Sequence, residues 1–362
     1  MDILIFDMDG VLIDVSKSYR ETIRQTVLVY LERCLGFEIG KRGPISKEEI
    51  ALFKSTGGFN NDWDLTSGLL LYLLSFSGIP PLPKRNKFNS ILKTLQYLKT
   101  KSSSLYPRPT IRLNRKHLSA FLEKVKSLGG GLKGVCRTLA GSWNGWICRS
   151  GDLDKENLVK RIFQEVYLGK QFTSFYHLQP LFYQGKGLYL RESLLVPRRI
   201  LSSLRKKMKM GIASGRPRFE AELALKRFRL LPHFDSVVTL DECMEEETRI
   251  FRSTGRRKSF LKPHPYSLLR VIREVGIPRP KCGYVGDVVD DMLAVQAARK
   301  RLQMVAIGFL SGRSKLKASK ESLFRAGADF VIENPKDLLQ FLSPSPHPST
   351  LGDCVVIGSR NL

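Results

Sequence analysis

The second half of the chain alternates short apolar runs with helical patterns, and this alternation limits the fold more than any other feature. The runs fall at 210–213, 236–240, 283–286, 304–309 and 329–332, with amphipathic stretches such as FEAELALKRF from Phe219 and DDMLAVQAARKRL from Asp290 between them. Apolar runs of this length suit strands buried on both faces, and strand–helix alternation places such strands in one parallel sheet. The run Ile3 to Phe6 supplies a further strand at the start. The expected architecture is α/β, with a Rossmann-like parallel sheet core.

Between 15 and 187 the pattern is helical instead. Ser46 and Glu49 stand at capping-box spacing, and NLVKRIFQEVYLG from Asn157 repeats apolar residues at helical intervals. GLLLYLLSFSGIP from Gly68 is too short to span a bilayer and is expected to be a buried helix. The expected domains are a discontinuous core of 1–14 and 188–343, an inserted, enlarged helical cap of 15–187 with a basic insertion near 83–150, and a C-terminal tail of 344–362.

The 362 residues carry a formal net charge of +26. That favours anionic partners such as phosphorylated small molecules or nucleic acid. Part of the excess is concentrated: from Leu65 to Leu122 there are ten Lys or Arg and no Asp or Glu, with Phe88, Tyr97 and Tyr106 interleaved. A basic, aromatic stretch can grip a nucleic-acid strand, but a solvated, partly flexible insertion is the commoner form. The six cysteines include no C-x-x-C pair, which argues for free thiols and against a disulfide frame or zinc site. No basic n-region with an apolar h-region precedes the first strand, so a cytoplasmic protein is expected.

The first run stops at an acid pair, MDILIFDMDG. If the strand continued, Asp7 and Asp9 would point to one side, and Gly10 would allow a tight turn. Two carboxylates at the carboxyl end of a buried strand repel unless a cation or shared proton compensates. Three later runs end in matching chemistry. GIASGRP ends at Ser214, with the Gly215 amide next to it; FLKPHP presents Lys262; GYVGDVVDDM ends at Asp287, with Asp290 and Asp291 beyond. A carboxylate nucleophile, a hydroxyl, a cation and metal-binding acids together suit in-line attack on a phosphoryl group.

This ordered set, DMDGV, GIASG, KP and GDVVDD, resembles the motifs of the haloacid dehalogenase superfamily of phosphohydrolases, in its capped, phosphoglycolate phosphatase-like branch. The resemblance implies roles. Asp7 would be the nucleophile that forms an aspartyl-phosphate. Asp9 would be general acid and then general base, its backbone carbonyl also binding Mg²⁺. Asp287 would complete the metal ligands with Asp7, Asp291 would hold the metal's water shell, and Asp290 is the fallback. Ser214 and the Gly215 amide would bind phosphate oxygens, and Lys262 would neutralise charge.

The resemblance also implies a cap that closes over the site and reads the substrate. STGGFNNDWDLT from Ser55 is a candidate substrate loop through Asn60, Asn61, Asp62 and Trp63, or else a helix-joining turn capped by Asn and Asp. Arg20 and Lys54 are candidate anion-binding cap residues. Asp7 and Ser214 stand 207 positions apart, about double the span a simple helical cap implies. Gly129 to Gly134 formally matches G-x-G-x-x-G but follows a helical pattern, so dinucleotide binding is not expected. His233 and His264 are expected to be ordinary loop histidines.

The expected activity is Mg²⁺-dependent hydrolysis of a small phosphomonoester, with phosphoglycolate the default and sugar phosphates or histidinol phosphate as alternatives. A phosphomutase of the β-phosphoglucomutase type is the rival enzyme. A basic nucleic-acid-binding protein on a hydrolase core is the rival from another class. No membrane partner is expected.

Overall fold

The computed structural model describes residues 1–40, 43–59, 61–105, 115–310 and 317–342. Asn60, Tyr106, Cys354 and the expected tail of 344–362 lie outside the described residues. The chain divides into two units, one made of Met1–Val15 and the chain from Ser193 on, the other of Ser16–Glu192.

In the first unit the strands are β1 (Ile3–Phe6), β2 (Ile13–Asp14), β3 (Ser193–Leu194), β4 (Lys209–Ala213), β5 (Ser236–Val238), β6 (Cys282–Gly286), β7 (Met304–Phe309) and β8 (Phe330–Ile332). Six of them form a sheet in the order β5-β4-β1-β6-β7-β8, parallel throughout. β2 and β3 pair antiparallel in a separate two-stranded ribbon.

β1 is central. Ile3 pairs with Lys209 on one side and Cys282 on the other, and all four residues of the strand are fully buried. Because side chains alternate, Leu4 and Phe6 enter one core and Ile3 and Ile5 the other. Burying each such side chain contributes about 1.5–3 kcal/mol, so this short strand ties both faces of the sheet together.

The second unit is helical: α1 (Tyr19–Val29), α2 (Lys47–Lys54), α3 (Asp62–Ser75), α4 (Ile91–Ser103), α5 (Arg115–Ser127), α6 (Gly131–Thr138), α7 (Leu158–Leu168) and α8 (Gln171–Tyr176). Ser46 and Glu49 close the expected capping box at the start of α2. In α3, residues 65–74 are buried without a break, as its all-round apolar sequence requires. Among the described residues no helix is long and apolar enough to cross a membrane.

Two glycine runs in this unit explain each other. A methyl group on Gly130 would lie 2.8 Å from the Gly57 carbonyl oxygen, and one on Gly131 would land on the Gly58 carbonyl. Gly57, Gly58, Gly130 and Gly131 all have positive φ. The G-x-G-x-x-G lookalike therefore marks a backbone-to-backbone contact.

The acid-free segment departs from expectation. A solvated insertion would leave its helix unpacked, yet α4 buries Ile91, Thr94 and Leu98, and its Ile91 amide donates to the Asp154 carbonyl. Phe88 and Tyr97 pack on each other with ring centroids 5.3 Å apart. Lys93, Lys99 and Lys101 occupy the exposed face. α4 is thus an amphipathic helix whose charged residues are all cationic.

Arg161 and Glu165 of α7 form a fully buried pair at 2.6 Å. Glu165 also accepts the backbone amides of Leu181, Phe182 and Tyr183, and Arg161 donates to the Gln179 carbonyl. This pair fixes the segment following α8 by filling its backbone donors and acceptor.

The core helices are α9 (Arg198–Arg205), α10 (Arg218–Arg227), α11 (Leu240–Thr254), α12 (Tyr266–Val275), α13 (Val289–Ala298) and α14 (Lys317–Arg325). α9 and α10 cover the Leu4 face, and α12 and α13 cover the Ile3 face. The run expected as strand at 236–240 ends at Val238. The Glu242 carboxylate accepts both the amide and the hydroxyl of Thr239, and so starts α11 there.

Glu165→Ala should destabilise the protein by about 3–5 kcal/mol, because it strands a buried guanidinium. Gly131→Ala should cost at least about 2 kcal/mol, from backbone strain and the collision with Gly58. Urea unfolding checks both; an unchanged midpoint for either variant would contradict the contact assigned to it.

Candidate active site

The sheet order reverses direction at β1, and a ligand crevice forms where strands diverge at their carboxyl ends. Asp7 follows β1, Ser214 follows β4 and Asp287 follows β6, so the topology puts all three at neighbouring strand ends.

β1 itself stops at Phe6, so strand alternation does not align Asp7 with Asp9 as expected. The chain turns at once: the Met8 carbonyl accepts the amides of Leu12 and Ile13, and Gly10 adopts φ 81°. A Cβ on Gly10 would overlap the Asp287 carboxylate. The glycine of D-x-D-G is needed for that close approach as well as for the turn.

Lys262 is the centre of the cluster. Its Nζ donates to Asp7 Oδ1 at 2.8 Å, to Asp291 Oδ1 at 2.7 Å and to the Tyr284 hydroxyl at 2.7 Å. Burial alone would pull the ammonium down; Asp291 and Asp7 outweigh it and hold its pKa well above the ordinary value. Burial pushes the Asp7 carboxyl up to about 7, against the pull of Lys262 and with added repulsion from Asp291 and Asp9.

Asp291 is fully buried and hydrogen-bonded at both oxygens. Oδ1 accepts from Lys262 and Tyr284, and Oδ2 accepts the amides of Asp287 and Val288 at 3.1 and 3.2 Å. It anchors the β6–α13 turn and orients Lys262. Asp290 is half-buried and lies outside this hydrogen-bond set.

Asp9 turns the other way. Arg216 Nε and Nη2 both reach its Oδ1, at 2.6 and 2.5 Å, and the guanidinium is almost wholly buried. The Arg216 amide donates to Ser214 Oγ at 3.2 Å, which tightens the turn that holds Ser214 and Gly215. A Cβ on Gly215 would meet nothing within 4 Å, so its backbone faces open space.

Carboxylate oxygens of Asp7, Asp287 and Asp291 lie within 4.8 Å of one another. Asp7 and Asp291 meet Lys262, Asp9 meets Arg216, and Asp287 stands beside Asp7 and Asp291, so four aspartates share two cations. With all four ionised, two negative charges in this group are left to balance. An all-oxygen donor set with that excess fits a hard divalent cation such as Mg²⁺.

Of the residues expected in the helical unit, Asn61 is the N-cap of α3, its Oδ1 accepting the Asp64 amide at 2.8 Å. Asp62 is in the first turn, 3.9 Å from Lys54. The Trp63 ring packs under the Lys160 ammonium at 4.3 Å, with its buried indole N–H unpaired. Arg20, near the start of α1, makes no side-chain hydrogen bond or ion pair among the described residues. Asn60 lies outside them.

Sequence reasoning missed Arg216 and Tyr284. Arg216 sits within the quoted SGRP, and an Arg between the hydroxyl motif and a proline was the available signal. Tyr284 lay two residues before Gly286 in an apolar strand, where a lone hydroxyl with no charged neighbour in sequence gives little notice.

Residues 187–299 match the family described as haloacid dehalogenase-like hydrolase. Pyrophosphatase PpaX of Bacillus cereus (strain AH820) is 30% identical over 135 residues, which are 37% of this chain and 52% of that protein. An imidazoleglycerol-phosphate dehydratase of Phytophthora nicotianae is 23% identical over 320 residues, 88% of this chain and 45% of that protein. The chain thus spans about half the length of these curated relatives.

Among solved structures, a structural-genomics target (ZR25) has a TM-score of 0.58 at 19% identity, covering 94% of this chain and 98% of the other. Phosphatase Tt82 from Thermococcus thioreducens has a TM-score of 0.52 at 21% identity, covering 89% and 99%. At such identities the likeness shows the fold alone.

Asp291→Ala should destabilise by about 3–5 kcal/mol, since it leaves Lys262 short of a counter-charge and two amides unpaired. Tyr284→Phe should cost only about 1 kcal/mol, the net worth of its hydrogen bonds. Equal losses in denaturant melts would mean that Asp291 does not anchor the cluster.

Proposed function

We propose that the protein is a Mg²⁺-dependent phosphatase of a small phosphomonoester, acting through an aspartyl-phosphate on Asp7. The observation that carries this reading is the Lys262 ammonium 2.8 Å from Asp7 Oδ1, within a cluster of acids at the carboxyl ends of adjacent strands. The pyrophosphatase name of PpaX, 30% identical over 135 residues, supports the class of reaction.

In this reading an Asp7 oxygen attacks phosphorus in line while the bond to the leaving oxygen breaks. Asp9 gives that oxygen a proton. A water then attacks the aspartyl-phosphate, its proton passes to Asp9, and the bond to Asp7 breaks to release phosphate. Ser214 Oγ and the Gly215 amide hold phosphoryl oxygens, and Lys262 offsets charge on Asp7 and the phosphoryl group.

Mg²⁺ would be held by the carboxylates of Asp7 and Asp287 and the Asp9 carbonyl, with Asp291 behind them, and it supplies charge neutralisation for attack by an anion on an anion. Arg20, Lys54 and the Asn60–Trp63 stretch are proposed to read the rest of the substrate, Asn61 through whatever its capping role leaves free. The proposed compartment is the cytoplasm.

The test is a screen of phosphoglycolate, sugar phosphates, histidinol phosphate and inorganic pyrophosphate, the last prompted by PpaX. Phosphate should appear with Mg²⁺, disappear with EDTA and return when Mg²⁺ is added back. Asp7→Asn should lower kcat by roughly 10⁴-fold or more. A mutant as active as the parent would sink the mechanism, and isomer formation without phosphate release would point to the phosphomutase.

A further inference from the structure

The core unit contains a second cationic site that the proposed reaction does not use. A cavity of about 250 Å³ opens between α11, α12 and the loop leading into α12. Lys258, Arg270, Arg273 and Arg301 line it, against a single acid, Glu246. Glu246 is already paired with Arg249 at 2.6 Å.

The side chains of Lys258, Arg273 and Arg301 make no hydrogen bond or ion pair among the described residues. Arg270 is pre-set by the Tyr266 hydroxyl at 2.8 Å and Glu274 at 2.9 Å. The cations converge on shared neighbours. Burial, with Lys258 and Arg301 nearby, pulls the His264 imidazole down. Glu246 is held below its ordinary range by hydrogen bonds from Arg249, with further pull from Arg273 and Arg270.

The floor is rigid. Phe260 is buried, and its ring meets His264 and Tyr266 edge-on at 4.8 and 5.3 Å. His264 Nδ1 accepts the Tyr266 amide, so the neutral ring carries its proton on the other nitrogen, as a further donor.

We infer that this cavity binds a compact polyanion, a diphosphate group, at a site separate from the Asp7 cluster. Four cations line one cavity, Lys258, Arg273 and Arg301 among them without an ion-pair partner among the described residues, and guanidinium groups match phosphate oxygens in pairs. The cavity is too small for a long polymer and well sized for two phosphoryl groups. The same loop carries Lys262, whose side chain turns toward Asp7 while Lys258 and His264 line the cavity. A guest held here would therefore steady the loop that presents the catalytic lysine.

The test is calorimetric titration of the full chain in EDTA with inorganic pyrophosphate and, separately, with ADP. Without a divalent cation the aspartate cluster repels polyanions, so binding there is suppressed. One site per chain is expected, weakened by added salt and by about tenfold or more in R273Q/R301Q. Both substitutions lie on the exposed surface, and phosphate release with Mg²⁺ should persist in this variant.

ADP binding more tightly than pyrophosphate would support the site with a nucleotide as its source; equal affinity would support it with inorganic diphosphate. No binding in EDTA, or unchanged affinity in R273Q/R301Q, would overturn the inference. So would a changed affinity in Asp7→Asn, which would place the anion at the aspartate cluster. None of these outcomes depends on the phosphatase reading, which stands or falls on the substrate screen.

Discussion

The site depends on one buried ammonium. Asp7 and Asp291 come from the end of the central strand and the start of a distant helix, and both place an oxygen within 2.8 Å of Lys262. Without that cation the two carboxylates would repel in a setting where desolvation already penalises charge. With it, Asp7 is held beside a permanent positive charge. Tyr284 closes the triangle, since its hydroxyl binds both Lys262 and Asp291. The cluster is a shared solution to a charge problem that three segments create together.

The same logic separates the two aspartates of D-x-D-G. Asp7 faces Lys262 and Asp9 faces Arg216, so each has its own cation. Asp9 keeps part of its surface open, its side chain being 28% exposed against 10% for Asp7. The two acids of one motif thus sit in different surroundings, one deeply buried and the other more open. Here the difference follows from the early end of β1, which lets the chain turn between them.

Much of the core was legible because its signals are local. Apolar runs at strand length, a capping box at Ser46 and helical periodicity from Asn157 each need only a few neighbouring residues, and the six-stranded parallel sheet follows from their order. What escaped was long-range pairing. Arg216 meets Asp9 across 207 positions, and Glu165 captures the amides of a segment sixteen to eighteen residues further on. A single sequence shows the donors and acceptors but not which will meet. The acid-free segment misled for a related reason: its lysines are conspicuous, while the buried Ile91, Thr94 and Leu98 that fasten it look ordinary.

The glycines show how one residue type can signal chemistry in one place and packing in another. Gly10, Gly286, Gly130 and Gly131 all sit where a side chain would collide. At Gly10 and Gly286 the obstacle is a carboxylate, that of Asp287 or Asp291, so the glycine exists to let an acid approach the backbone. At Gly130 and Gly131 the obstacle is another glycine-rich backbone, and no functional group is involved. Spacing cannot tell these cases apart, which is why a G-x-G-x-x-G match means little without the element that precedes it. What separates them is the partner: glycines that face carboxylates outline the aspartate cluster, and glycines that face glycines hold the helical unit together.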